Sequence, residues 1–146
     1  DELAGRPERI VVGLDGSEGS QAAFRWALDE ARARQAPVRL VHAWQPATVG
    51  VDRFLPVRPD ADAMAEVATH LVDTAVAAED TEGVTVEPVE VRGAVTEAML
   101  EQAADASLVV VGSRGRGGFA GLLLGSVSQQ LARHSATPVV VVPHRI

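Results

Sequence analysis

The segment Gly112–Ser126 has the residue types of a phosphate-binding loop. Five of the ten residues 112–121 are Gly, and Gly125 directly precedes a stretch with helical character. Glycine lets backbone N–H groups approach a ligand closely, and a helix N-terminus favours an anion through its unpaired N–H groups and its dipole. Further donors come from the side chains of Arg114, Arg116, Ser126 and Ser128. Composition alone is equally typical of a flexible surface loop, so both interpretations stay open at this point.

A second polar group follows the first apolar run of the chain. Asp15 stands directly after Ile10–Leu14 and begins the sequence Asp-Gly-Ser. A carboxylate at the end of a buried strand can bind a ligand or a cation, but the same residue commonly forms a turn or caps a helix. The residue type does not decide between these roles.

Apolar runs and amphipathic stretches alternate along the chain and must position these residues. β-Branched runs predict five strands, at residues 9–14, 38–44, 84–91, 108–111 and 138–142. Helical spacing predicts four helices, which run from Ser17 or Ser20 to about Arg34, from about Asp60 to Ala78, from just after Gly93, and from Ser126 to about Arg133. Strands that alternate with helices indicate a parallel sheet with helices on both faces. We therefore expect one three-layer, doubly wound α/β domain over residues 1–146.

The third strand contains Pro88, which is typical of a sheet edge.

Composition excludes several kinds of chemistry. The 146-residue chain has no Cys and no Lys, so it offers no thiolate, no Schiff base and no P-loop lysine. A formal charge of −7 argues against a nucleic-acid surface. The four histidines have no metal-type spacing and are interpreted as ordinary polar residues: His42, His70, His134 and His144. No apolar run reaches membrane-spanning length and residues 1–9 are polar, so we expect a soluble, cytoplasmic protein.

The spacing of the glycines resembles that of the universal stress protein family, in particular its ATP-binding branch. That branch has Gly, two residues, Gly, nine residues, and then Gly-Ser or Gly-Thr. Here Gly112 and Gly115 are followed, nine residues later, by Gly125-Ser126. The resemblance extends to residues 10–17, 38–44 and 137–142, and so covers nearly the whole chain.

This resemblance implies a strand order of 3-2-1-4-5 and a nucleotide in the crevice between strands 1 and 4. Asp15 would lie near the ribose, the phosphates or a bound Mg²⁺, and Ala43 would offer backbone groups to the adenine edge. The strand ends under and beside the nucleoside would be Gly13, Leu14, Val111 and Gly112. The phosphates would be held by Gly115, Gly125, Ser126, Val127 and Ser128, with positive charge from Arg114.

The implied function is binding of ATP, with Mg²⁺ as a possible companion and with slow hydrolysis at most. The resemblance also favours a homodimer that pairs through strand Val139–Val142, which would otherwise leave four consecutive valines at an open sheet edge. Two alternatives remain: a dimeric interaction module that binds no nucleotide, and an ATP-cleaving enzyme of the adenine-hydrolase type. The intact glycine motif argues against the first. The second is disfavoured because Asp15–Ser20 only loosely matches the Ser-Gly-Gly-x-Asp-Ser loop of such enzymes.

Overall fold

A strand or a helix forms at each apolar or amphipathic segment of the described chain. The computed structural model describes residues 8–45, 61–113 and 125–143. The strands are β1 (Ile10–Gly13), β2 (Val38–Trp44), β3 (Val86–Arg92), β4 (Leu108–Gly112) and β5 (Val139–Val142). The helices are α1 (Glu18–Arg34), α2 (Ala61–Ala77), α3 (Val95–Ala103) and α4 (Ser126–His134). The predicted start of the second helix at Asp60 and the expectations for Arg114, Gly115 and Arg116 lie outside the described residues.

The five strands form one parallel sheet in the order β3-β2-β1-β4-β5, which confirms the predicted fold. The register places Gly13 beside Val41 of β2, and Val12 beside Val110 of β4. β3 lies at one edge of this sheet, as its Pro88 indicated. The order reverses direction between β1 and β4, so their carboxyl ends form the switch point of the sheet.

Alternating side chains of the central strands enter two separate cores, which explains why these strands are apolar on both faces. Ile10, Val12 and Leu40 pack with α1 and α2 on one face. Val11, Val41 and other side chains pack with α3 and α4 on the opposite face. The protein therefore has three layers.

Two helices differ in detail from the sequence pattern. In α1, Phe24 and Leu28 are buried together with the alanines, whereas Trp26 is only half-buried. In α2, helical spacing predicts an apolar stripe that includes Val67, but this side chain is 67% exposed. This helix packs against β2 and β3, so the sheet covers only part of the stripe. That part includes Ala68, Val72 and Ala75, which are buried.

The last turn of α2 and the residues just after it are joined to α1 through one nearly buried carboxylate. The Glu79 side chain is only 7% exposed and accepts hydrogen bonds from Arg25 Nε at 2.9 Å and Gln21 Nε2 at 2.8 Å. Gln21 Nε2 also donates to the Ala75 carbonyl at 2.9 Å. Burial by itself raises the pKa of Glu79, but the hydrogen bonds from Arg25 and Gln21 and the charge of Arg25 together lower it below its ordinary value.

The lowered pKa of Glu79 predicts a pH-dependent contribution to stability. A group whose pKa is lower in the folded state stabilises the protein above its unfolded pKa, and this contribution is lost as the pH falls through the folded value. We expect Glu79→Gln to lower the free energy of unfolding at pH 7 by about 1–2 kcal/mol. The difference between wild type and variant should shrink as the pH falls below the ordinary value of 4.5. Urea unfolding at several pH values measures both quantities.

Asp29→Asn is the matched control for this experiment. Asp29 pairs with Arg32 at 3.2 Å, but its side chain is 77% exposed. Exposed pairs contribute little to stability, so this variant should resemble the wild type. A Glu79→Gln difference that is the same at pH 7 and at pH 3.5 would show that the carboxylate charge is not its source.

Candidate functional site

The carboxyl ends of β1 and β4 lie side by side, between two helices that pack on opposite faces of the sheet. α1 follows β1 along the chain and packs on one face. α4 begins next to the end of β4 and packs on the other face. The two helix N-termini therefore flank the ends of the central strands. In open α/β sheets this crevice is the usual place of a ligand.

Asp15 builds the turn that leads from β1 into α1. Its Oδ1 accepts a hydrogen bond from the Ser17 backbone N–H at 2.9 Å and another from the Ser17 hydroxyl. Gly16 between them has a φ of 83°, which a residue with a side chain rarely adopts. The Ser17 hydroxyl oxygen in turn accepts from the Ser20 N–H at 3.1 Å and so caps α1. Asp15 therefore does form a turn, and this turn fixes its carboxylate beside the end of β1.

Close packing of α1 against β4 explains the glycine at residue 112. A Cβ atom added to Gly112 would lie 2.8 Å from both the carbonyl carbon and the oxygen of Gly19, and 3.3 Å from the Ser20 nitrogen. These are backbone atoms of the first turn of α1, so they cannot move aside without moving the helix. Gly112 therefore lets the start of α1 approach the end of β4.

The start of α4 is fastened to the end of β4 through Ser113. The Gly125 N–H donates to the Ser113 carbonyl, and the buried Ser128 hydroxyl lies 3.3 Å from the same oxygen and 2.9 Å from the Gly125 carbonyl. Ser126 is exposed. These contacts hold the first turn of α4 next to the strand end in a defined orientation.

The N-terminus of α4 is suited to an anion. Its N-cap residue is Gly125, which supplies no side-chain cap, so the first-turn N–H groups of Ser126, Val127 and Ser128 have no partner within the helix. Among the four described helices, the other three have an acidic residue in the first turn, namely Glu18, Asp62 and Glu97, whereas α4 has none. The positive end of its dipole is therefore not offset by a carboxylate of its own first turn.

His42, which was interpreted from the sequence as an ordinary polar residue, lies close to the end of β1. Its ring is buried, and Nδ1 lies 2.8 Å from the carbonyl oxygen of Leu14. A carbonyl can only accept, so Nδ1 donates, and this bond joins the end of β1 to β2 beyond the last ladder bond. The available signal was a histidine within an apolar strand, because a buried polar group requires a partner.

The structure brings most of the predicted site residues to the carboxyl edge of β1, β2 and β4 and to the start of α4. These are Gly13, Leu14, Asp15, Ala43, Val111, Gly112, Gly125, Ser126, Val127 and Ser128. Leu14 and Val111 are buried in the two cores beneath this edge, and Ala43 is buried as well. Arg114 and Gly115 belong to the part of the chain that is not described.

Residues 8–45, 61–113 and 125–143 also lack two features that would indicate other kinds of site. They contain no group of three or more His, Asp or Glu side chains arranged to hold a metal ion. Within the same ranges, none of the helices has the length and apolar character needed to cross a membrane.

Comparison with known proteins gives consistent results. The family model for the universal stress protein family matches residues 7–143. A universal stress protein of Mycolicibacterium smegmatis is 37% identical over 149 residues, which cover 99% of this chain and 49% of that protein. A universal stress protein of Mycobacterium tuberculosis is also 37% identical, over 97% of this chain and 48% of its own length. The chain thus spans about half the length of the curated relatives it matches.

Solved structures extend the comparison to ligands. A universal stress protein in complex with cAMP is 32% identical and superposes with a TM-score of 0.66, covering 95% of this chain and 98% of that one. The universal stress protein of Archaeoglobus fulgidus in complex with dAMP is 25% identical, with a TM-score of 0.69 and coverage of 92% and 97%.

Proposed function

Since the chain belongs to the universal stress protein family, we propose that it binds ATP in the crevice at the carboxyl ends of β1 and β4. The observation that carries this proposal is the pairing of two features at one switch point. The first turn of α4 has N–H groups that find no partner within the helix and it has no acidic residue, and it is bonded to the end of β4 through Ser113. Such a terminus favours phosphate. The relatives solved with cAMP and dAMP support an adenine nucleotide as the ligand.

In this proposal the residues 1–146 act as one nucleotide-binding domain, and each predicted residue keeps its role. The first-turn N–H groups of α4 bind the phosphates, with Arg114 and Gly115 as further predicted contributors. Gly13, Leu14, Val111 and Gly112 form the floor under the nucleoside. The backbone of Ala43 borders the base.

Asp15 is the proposed carboxylate for Mg²⁺. Magnesium is commonly held by one or two carboxylates together with phosphate oxygens and water, so a single aspartate fits a nucleotide-borne ion better than an ion bound by protein alone. The Asp15 Oδ1 atom is already fixed by the Ser17 N–H and hydroxyl. That contact orients the carboxyl group before a ligand arrives.

We propose binding with at most slow hydrolysis rather than rapid turnover. The chain has no lysine to reach the β- and γ-phosphates, and the proposed phosphate site uses backbone N–H groups and hydroxyls. The proposed role is therefore that of a nucleotide-dependent stress-response protein.

Nucleotide released from purified protein tests this function. The protein is denatured and the supernatant is separated by chromatography, with wild type compared with Gly115→Ala and Gly125→Ala. The proposal expects an adenine nucleotide from the wild type and much less from the variants, because a Cβ obstructs close approach of the backbone. Equal ATP binding by the wild type and both variants would refute this site. Rapid ATP turnover would instead favour an enzyme.

We further propose a homodimer that pairs through β5. β5 is an edge strand of the described sheet, and all four of its residues, Val139–Val142, are only half-buried. A groove of about 370 Å³ with a mixed lining, which includes Ser135, Pro138 and Val141, lies next to this strand. Open apolar edges favour pairing with another strand. Sedimentation equilibrium at micromolar concentration should give the mass of two chains, and a mass of one chain would contradict this proposal.

A further inference from the structure

β2 and β3 extend beyond the end of β1 and form one wall of the crevice. Gly13, the last residue of β1, lies beside Val41, whereas β2 continues for three residues to Trp44. At about 3.3 Å per residue this overhang is roughly 10 Å high. β3 continues with it, so that Arg92 lies beside Trp44, and the Gly93 N–H donates to the Trp44 carbonyl at 2.9 Å.

A half-buried aromatic ring stands on this wall. The Arg92 guanidinium carbon lies 5.8 Å from the centroid of the Trp44 ring, within the range of a cation–π contact. Arg92 is exposed and Trp44 is half-buried, so the ring is held by the arginine while part of it remains accessible.

Strand geometry relates Trp44 to the floor of the crevice. Side chains alternate along a strand, so Trp44 projects from the same face of β2 as His42. The His42 ring already reaches the Leu14 carbonyl at the end of β1. Trp44 is the next side chain on that face, beyond the end of β1. Leu40 precedes both residues on this face and packs in the core with α1 and α2, so Trp44 projects on the α1 side of the sheet.

The distance between this wall and α4 fits a nucleotide. β2 and β4 are separated by β1, and two inter-strand spacings amount to roughly 10 Å within the sheet. Because α4 packs on the face opposite α1, a ligand that contacts both Trp44 and the start of α4 must cross over the strand ends. A base at the β2 wall and a phosphate at the start of α4 would therefore lie at opposite ends of one nucleotide. On the basis of the proposed function, we propose that Trp44, positioned by Arg92, is the stacking surface for the base, and that the site consequently prefers purine to pyrimidine nucleotides.

The experiment distinguishes contacts to the base from contacts to the phosphates. The chain has two tryptophans, so a Trp26→Phe protein emits from Trp44 alone. ATP should change this emission strongly and CTP weakly, whereas tripolyphosphate should compete with ATP without changing it. In Trp44→Leu the ATP affinity, measured by equilibrium dialysis, should fall between about fivefold and about a hundredfold, because base–aromatic stacking has that magnitude. The affinity for tripolyphosphate should be unchanged.

The arginine is tested as a positioning residue. Arg92→Gln should lower the ATP affinity and broaden or shift Trp44 emission in the free protein, and Arg92→Lys should restore part of both because it retains a cation. Trp44→Phe keeps an aromatic surface and should preserve the preference for ATP over CTP.

The possible results distinguish the stacking role of Trp44 from the proposed binding of ATP. If the wild type binds ATP in dialysis while Trp44 emission is constant and Trp44→Leu binds within twofold of wild type, the stacking role is wrong and the nucleotide site stands. If the wild type does not bind ATP at all, the proposed function fails first and the stacking role with it. Should Trp44→Leu not fold, the emission of Trp26→Phe and the ATP to CTP ratio of Trp44→Phe decide the question.

Discussion

Replacing Ser126 by Asp is expected to lower the affinity for ATP by about tenfold or more while leaving the protein at least as stable as the wild type. Ser126 is exposed and is the first residue of α4, so a carboxylate fits there without disturbing the core. At a helix N-terminus it interacts favourably with the dipole, by about 0.3–1 kcal/mol. The same charge repels the phosphates: two like charges about 4 Å apart repel by about 1 kcal/mol in water and by about 4 kcal/mol near a protein surface.

In Ser126→Asp the stability and the ATP affinity should not fall together, so a folding defect cannot imitate the expected loss of binding. Ser126→Ala is the matched control, since it removes the hydroxyl without adding charge and should bind ATP within a few-fold of wild type. Thermal unfolding without ligand and equilibrium dialysis with ATP measure the two properties. Unchanged ATP affinity in Ser126→Asp would mean that the start of α4 does not face the phosphates.

Gly112→Ala should destabilise the protein by about 1–3 kcal/mol, the usual cost of inserting a methyl group into a closely packed site. The new Cβ would lie 2.8 Å from two backbone atoms of Gly19, so α1 must shift away from β4. A shift of α1 also moves the turn at Asp15, and we expect ATP affinity to fall with stability. A lowering of Tm by several degrees and a reduced enthalpy of ATP binding are the measurements.

Gly13→Ala is the control for this steric argument. Its Cβ would lie 3.2 Å from Met99 Cε and 3.3 Å from Met99 Sδ, which are the end of a flexible side chain. Neither glycine has a left-handed φ, so backbone strain does not distinguish the two variants. Equal destabilisation in both would show that contact with the α1 backbone is not what requires glycine at residue 112.

The sequence predicted the elements and their order well because the signals were local. Each central strand is a short run of β-branched residues, and each helix has apolar residues at helical spacing, so the described bounds differ from the predicted ones by two residues at most. Pro88 marked an edge strand through its missing N–H, and of the two predicted candidates for the cap of α1, Ser17 and Ser20, the structure uses Ser17. The strand order was implied by the resemblance to the universal stress protein family, since spacing alone does not fix which strands are neighbours.

The contacts that shape the site could not be predicted because they join residues far apart in sequence. His42 donates to Leu14 across 28 residues, Gly112 gives room to Gly19 across 93, and Arg92 lies on Trp44 across 48. No local pattern encodes such pairs, and a histidine in a strand is typical of many roles. The exposure of Val67 was missed for a related reason, since helical spacing shows which residues share a face but not how much of that face the sheet covers.

Equilibrium binding of ATP to protein freed of nucleotide tests the central claim most directly. The protein is unfolded, stripped, refolded and titrated with ATP in a calorimeter, with and without Mg²⁺. The account predicts saturable binding of one ATP per chain, competed by AMP and weakened in Ser126→Asp. A folded protein that shows no saturable binding of ATP at millimolar concentration would contradict it.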